Sequence, residues 1–165
     1  MLELVRSAEY GYTERQRLIS TLCEKYGFLK RKNIGRSCGG RDITAVKIGS
    51  AEEYSLIAAA FHGSERITST VLLMFVEELS RALSENGFLG SLNACRALNN
   101  KGVIFVPCVN PDGCDISLYG AKACGELSGA VNRLCMGDFK HWNANLRGVD
   151  INHNFNAGWQ ELRTK

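Results

Sequence analysis

A chain of 165 residues is long enough for one domain with a substantial core and too short for several. Its 45% hydrophobic and 22% charged content is that of an ordinary soluble globular protein, which sets aside a disordered or fibrous chain. Twenty basic residues against seventeen acidic leave a formal charge of +3, scattered along the sequence, and make no electrostatic case for a nucleic-acid or membrane partner.

The start, Met1-Leu-Glu-Leu-Val-Arg, lacks a charged segment followed by an apolar one, so no signal peptide is expected. The longest uncharged apolar run, Tyr54 to Phe61, is far shorter than the ~20 residues a membrane helix needs. Seven cysteines, at 23, 38, 95, 108, 114, 124 and 135, are an odd number without a Cys-x-x-Cys pair. That pattern points to reduced thiols in a cytoplasmic protein, and away from a disulfide framework or a cysteine-built metal site.

In chain order, Leu18, Ile19, Leu22 and Tyr26 recur at helical spacing, which predicts a helix over Tyr12 to Tyr26 stopped by Gly27. The basic triplet Lys30-Arg31-Lys32 reads as a solvated surface at a helix-to-loop transition. Residues 34–49 read as a hairpin turning at Gly39-Gly40. Tyr54 to Phe61 suits a strand buried on both faces. A long helix follows over Arg66 to Ser84, its inner face formed by Val71, Leu72, Phe75, Val76, Leu79 and Leu83. A second buried strand, Val103 to Val109, runs into the turn sequence Asn110-Pro-Asp-Gly113. Cys114 to Ala144 is rich in small residues and reads as irregular surface loops. Helices interleaved with apolar strands predict an α/β domain with a mixed, mostly parallel sheet covered by helices, and nothing divides residues 1–165 into two domains.

Two short segments carry chemistry. His62 and Glu65, directly after the first apolar run, offer an imidazole and a carboxylate that can grip one Zn²⁺ from a single turn. They are equally consistent with a helix start, where a carboxylate is favoured by the helix dipole. Gly148-Val-Asp-Ile-Asn-His-Asn154 gathers a carboxylate, amides and an imidazole, and there Asp150 could simply cap a turn.

Four segments in order, Ile34-Gly-Arg-Ser with Gly40-Arg41, His62-x-x-Glu65, Val109-Asn-Pro-Asp-Gly113 and Gly148-Val-Asp-x-Asn152, resemble the zinc metallocarboxypeptidase superfamily, the carboxypeptidase A-like peptidases of family M14. The resemblance implies the N-terminal part of a carboxypeptidase-like (phosphorylase/hydrolase-like) domain, Zn²⁺ as cofactor and a peptide as substrate. It makes His62 and Glu65 the first two zinc ligands, and Asp150 the carboxylate that receives the N–H of His62 and fixes its tautomer. Asn152 and His153 occupy the substrate-binding position. Typical members carry Asn-Arg there, the Arg pairing the peptide's C-terminal carboxylate. His153 is shorter and mostly uncharged at neutral pH, so it weakens that recognition. The surrounding sequence, Trp142 to Trp159, resembles the bacterial branch that cuts γ-D-glutamyl bonds to diaminopimelate in cell-wall peptides.

The family places an Arg just before this segment to polarise the scissile carbonyl; Asn143 follows Trp142 here, and the nearby Arg147 is either a candidate for that role or a partner in a surface ion pair of little energetic value. His141 reads as a surface residue, and Asp112 as part of a structural turn. The family takes its third zinc ligand and its catalytic Glu from the later half of the domain. No His follows His153, and Glu161 lies too close to the preceding motif to serve as the base. Two expectations stand: the zinc-side portion of a peptidase, or a non-catalytic remnant that binds metal or peptide weakly.

Overall fold

The computed structural model describes residues 10–155 together with 157 and 158. Residues 1–6, read above for a signal peptide, and Glu161 lie outside the described residues.

Helix α1 (Tyr12–Lys25) ends one residue earlier than its periodicity implies, and Leu18, Ile19 and Leu22 are its buried stripe. Strands β1 (Lys30–Arg36) and β2 (Asp42–Gly49) form the expected hairpin. Its turn is closed by the Ser37 N–H to the Arg41 carbonyl at 2.8 Å. Lys30-Arg31-Lys32 is exposed, as expected, but it opens β1 and does not precede a loop. Strand β3 (Tyr54–Ala58) leads to α2 (Arg66–Ser84), whose limits are those the sequence implies. A short hairpin, β4 (Phe88–Leu89) with β5 (Leu92–Asn93), and one turn of helix, α3 (Ala94–Ala97), lead to β6 (Gly102–Val106).

Those strands make a four-stranded sheet in the order β1-β2-β6-β3. The sheet is mixed, as expected, with a smaller parallel share than expected. Among the described residues of this sheet only β3 and β6 pair parallel, while β1–β2 and β2–β6 are antiparallel. The reason is connectivity: α2 supplies the crossover that a parallel pair requires, and the tight turn between β1 and β2 permits only an antiparallel one. Residues from α1, β2, α2 and β6, among them Leu22, Val46, Ile48, Leu73, Val76 and Phe105, share the main core.

The order also corrects the reading of the first apolar run. Among the described residues β3 is an edge strand, paired only with β6, and it is not buried on both faces: Leu56 is 67% and Ile57 40% exposed. An apolar run cannot report how many neighbours its strand will have. The same edge exposes two residues assigned to the inner face of α2, because Val71 and Phe75 overhang the sheet and leave 57% and 42% of their surface open. With Ile57 and Ile67 they line an apolar hollow beside β3. An open edge next to an apolar patch favours self-association. The chain is therefore expected to sediment as a concentration-dependent mixture, and Val71→Lys with Phe75→Ser to shift it towards monomer. A wild-type chain that stays monomeric at high concentration would contradict this.

The segment after Asn110 is more ordered than its composition suggests. Asn110 caps α4 (Pro111–Tyr119), accepting the Gly113 N–H at 2.9 Å, with Pro111 at the first helical position. α4 buries Cys114 and Ile116 completely. A further helix, α5 (Ser128–Cys135), and short 3₁₀ turns enclose a second core of Ile116, Cys124, Val131, Trp142 and Leu146. The expectation of irregular loops over 114–144 fails where the chain forms α4 and α5, anchored by the buried Cys114, Ile116 and Val131, while most residues from Tyr119 to Ala144 lie at the surface, as expected. No helix among the described residues is long and apolar enough to cross a membrane.

Candidate metal centre

The end of β3 is held to β6 beyond the regular strand by Ala59 N–H to the Val106 carbonyl and Val109 N–H to the Ala59 carbonyl, both 3.0 Å. The chain then turns sharply at Ala60, whose φ of 53° is uncommon outside glycine, and delivers His62 to the carboxyl end of the strand. Open α/β sheets bind their ligands at such ends. Gly63 makes the approach possible: a Cβ there would lie 2.3 Å from the Gly113 carbonyl oxygen and 2.5 Å from that of Trp142. Glu65 stands immediately before α2, where the helix N-terminus favours a carboxylate.

Asn110 ties the two halves of the site together. Its Nδ2 donates to the carbonyls of Phe61 at 3.0 Å, Ala144 at 3.1 Å and Asn143 at 3.3 Å. The segment before His62 is thereby fastened to the segment before Asp150. Gly63 N–H adds a bond to the Asn143 carbonyl at 3.1 Å, and Ser117 Oγ donates to the Gly63 carbonyl at 2.6 Å. The sequence places Asn110 in a structural turn that shapes the site wall; its three cross-links are what the fold adds. Asn-Pro at the end of a buried strand reads as a turn from sequence and is a helix cap in the fold.

At the centre, His62 faces a different carboxylate with each ring nitrogen. Nδ1 lies 2.9 Å from Glu65 Oε1, and Nε2 lies 3.2 Å from Asp150 Oδ1, although Asp150 is 88 positions away in sequence. His153 joins through the same carboxylate, its Nδ1 lying 2.8 Å from Asp150 Oδ2, with the two imidazoles stacked at 6.2 Å between centroids. The Asp150 carbonyl accepts the side-chain amide of Asn154 at 2.6 Å. The hydrogen bond to Glu65 lifts the His62 imidazole above its ordinary value, partial burial opposes that rise, and Asp150 adds to it. Burial works against ionising Asp150, but hydrogen bonds from the His153 side chain and backbone, then from His62, hold its carboxyl below the usual range. Both carboxylates can only accept hydrogen bonds, so a His62 that serves both at once is an imidazolium.

The remaining expected residues fall outside this centre. Arg147 is exposed, and its guanidinium makes no hydrogen bond or ion pair with the cluster among the described residues; its backbone N–H bonds Asn145 Oδ1. Asn152 is exposed on the short 3₁₀ turn that carries His153 and makes no side-chain hydrogen bond to the cluster among the described residues. His141 is a surface residue paired with Asp138. Asn143 accepts the Ser64 hydroxyl, so it borders the His62–Glu65 turn. Asp112 is structural, as expected, bonded to Ser37, Gly39 and Arg41.

Ligand atoms on bonds of 2.0–2.2 Å in a tetrahedron stand roughly 3.4 Å apart. The 2.9 Å between His62 Nδ1 and Glu65 Oε1 is thus close to what two zinc ligands require, and the Nε2–carboxylate contact behind it is the usual support of a metal-bound imidazole. On the donor atoms present the pair fits zinc, with two ligands. A second grouping, His62, Asp150 and His153, also places one donor atom each within 4.8 Å of the others.

A profile of the zinc carboxypeptidases, peptidase family M14, matches residues 16–165, and the chain belongs to that family. It is 32% identical over 155 residues to the uncharacterized protein YqgT of Bacillus subtilis, covering 92% of this chain and 41% of that one. It is 30% identical over 156 residues to gamma-D-glutamyl-L-diamino acid endopeptidase 1 of Lysinibacillus sphaericus, covering 92% and 39%. The chain thus spans about 40% of the length of these relatives. In fold it resembles the crystal structure of thrombin-activatable fibrinolysis inhibitor, with a TM-score of 0.66 at 20% identity over 92% of this chain and 35% of that one.

Proposed function

We propose that this chain is the zinc-binding portion of a metallopeptidase domain that cuts γ-D-glutamyl-diaminopimelate bonds in cell-wall peptides, and that it works in a reducing, cytoplasmic compartment. The observation that carries the zinc reading is the pairing of His62 with two carboxylates through its two nitrogens. In this reading Nδ1 and Glu65 take the metal, with the ion replacing the Nδ1 proton. Asp150 accepts the Nε2 proton, fixes the tautomer and raises the basicity of the ligand. Bound zinc would lower the pKa of a water and polarise the scissile carbonyl. The third ligand and the general base have no counterpart among His62, Glu65, Asp150 and His153, and belong to the part of the domain the longer relatives carry. Arg147 is the remaining candidate for a cation at the carbonyl. Seven unpaired cysteines support the reducing compartment.

The alternative ligand set, with Asp150 and His153 holding the ion beside His62, makes a different prediction. The two separate in Co²⁺ titrations read by visible absorption. In the first reading Asp150→Asn lowers affinity by about 10–100-fold and leaves the ion bound, while His153→Ala changes little. A loss on His153→Ala equal to that on His62→Ala would establish the alternative.

The substrate reading rests on His153 at the position where a carboxylate-pairing Arg is typical, and on the activity named for the Lysinibacillus relative. His153 is 73% exposed at its side chain and turned onto Asp150, so its ring has a partner already. His153→Arg should improve binding of peptides ending in an ordinary L-residue by about tenfold relative to γ-D-glutamyl-diaminopimelyl peptides, the worth of one charge-assisted pair. An unchanged ratio would mean that His153 only packs against the turn.

A further inference from the structure

Helix α1 buries a cation that the peptidase reading does not use. Arg15 is 1% exposed, and its Nε donates to Ser69 Oγ at 3.2 Å. Neither Nη has a hydrogen-bond partner among the described residues. An isolated buried charge is costly, so a guanidinium in this position calls for an anion. The acid whose charge reaches it, Asp115, is already engaged by Arg41 Nε at 3.1 Å and the Tyr12 N–H at 2.9 Å. Two thiols also lie within reach of the Arg15 charge. Cys108 and Cys114 are 6% and 0% exposed, and their sulfurs are 3.6 Å apart.

We propose that Cys108 and Cys114 form a redox pair, with Cys108 the attacking sulfur beside Arg15 and Cys114 the resolving thiol. The geometry assigns the roles. Cys108 retains a trace of exposure while Cys114 has none, so a small oxidant meets Cys108 first. Burial pushes the Cys108 thiol up, but the Cys114 S–H bond and the Arg15 charge outweigh it and bring Cys108 below the ordinary thiol range. The same bond and burial push Cys114 well up. A backbone hydrogen bond from Asn110 also favours ionisation of Cys108, while Asp115 opposes ionisation of both thiols.

With hydrogen peroxide as oxidant the step balances. The Cys108 thiolate attacks one peroxide oxygen, the O–O bond breaks, and a sulfenic acid and hydroxide form. Cys114 then attacks the Cys108 sulfur, and the displaced oxygen leaves as water with the Cys114 proton. Two sulfurs are oxidised by two electrons in total, and one peroxide is reduced. To form a bridge the sulfurs must close from 3.6 Å to about 2.05 Å. Cys108 and Cys114 bracket Asn110, whose amide fastens the Phe61 carbonyl, one residue before His62. The bridge would form beside the strap that holds the metal centre together.

The test uses the whole chain with all seven cysteines. It is treated with stoichiometric hydrogen peroxide, quenched by alkylation, unfolded, and digested without reduction for peptide mass analysis. The expected result is a Cys108–Cys114 cross-linked peptide appearing ahead of any oxidation at the exposed Cys38 and Cys95. Cys114→Ser should stop at a sulfenic acid on Cys108 that dimedone traps. Arg15→Met should slow cross-linking about tenfold or more, and because that variant risks misfolding, the Cys114→Ser result stands independently of it. Oxidation confined to Cys38 and Cys95, with Cys108 and Cys114 still alkylated after unfolding, would overturn the proposal. So would a Cys114→Ser chain that yields no dimedone adduct at Cys108.

Discussion

On its own, the 165-residue chain is expected to show no zinc-dependent hydrolysis of γ-D-glutamyl-diaminopimelyl peptides and to hold zinc weakly. Catalytic zinc sites take three protein ligands and a water, and the arrangement around His62 and Glu65 supplies two. Four-ligand structural sites bind with roughly 10–16 kcal/mol. Half that ligand set yields about 5–8 kcal/mol, a dissociation constant between roughly micromolar and a few hundred micromolar. Glu65 is also half exposed, so water competes for the ion. Isothermal titration of the purified chain with zinc, and a peptide assay at saturating zinc, measure both quantities. Nanomolar zinc binding that His62→Ala abolishes, or cleavage that a chelator stops, would sink the expectation and show that the chain completes the site unaided. If a polypeptide carrying the rest of the domain restores activity on mixing, the reading of this chain as the zinc side of the peptidase is supported directly.

Much of this architecture was legible in the residues, and the failures share a cause. α2 was readable to its limits because its apolar positions recur at 3.6 spacing over five turns, a signal that needs no knowledge of neighbours. β3 was found, but its burial was misjudged, since an edge strand and a central strand can share one apolar sequence. Which of them it becomes depends on strand order, a property of the whole chain. The same uncertainty applies to Val71 and Phe75, which helical spacing assigns to the inner face and the fold leaves exposed. α4 was missed although its signs were present: Asn110 as cap and Pro111 at the first helical position. Its residues, Asp112, Gly113 and Asp115 among them, are poor helix formers, and tertiary burial overrides that propensity. In the site, His62 and Glu65 could be paired from spacing alone. The contact of His62 with Asp150 could not, because 88 positions separate them. Only the resemblance to a known pattern joined them. The Asn110 strap and the Cys108–Cys114–Arg15 group are products of packing, and no short motif announces either.

Replacing Asp112 by Ala is expected to destabilise the fold by about 3–5 kcal/mol, the cost of removing one partner from a buried ion pair. Asp112 is 1% exposed and accepts from Arg41 Nη1 at 2.6 Å, Gly39 N–H at 2.8 Å and Ser37 Oγ at 2.9 Å. The Arg41 guanidinium it anchors also reaches Asp115 through Nε, and Asp115 holds the first N–H of α1 through Tyr12. One carboxylate therefore joins the β1–β2 turn to α4, and through Arg41 and Asp115 to α1. Loss of the side chain strands a largely buried guanidinium with a single partner and leaves the Gly39 amide without its acceptor. Asp112→Asn keeps the shape and one acceptor oxygen, so its cost should fall to about 1–3 kcal/mol. Urea unfolding followed by circular dichroism measures both, with the slope of the transition showing whether the native state has loosened. In a double-mutant cycle with Arg41→Ala, a coupling of about 0.5–3 kcal/mol is expected for groups in one network. A cost for Asp112→Ala within about 0.5 kcal/mol of zero, the range of ordinary surface changes, would show that the network is not what fixes α4 under the metal centre.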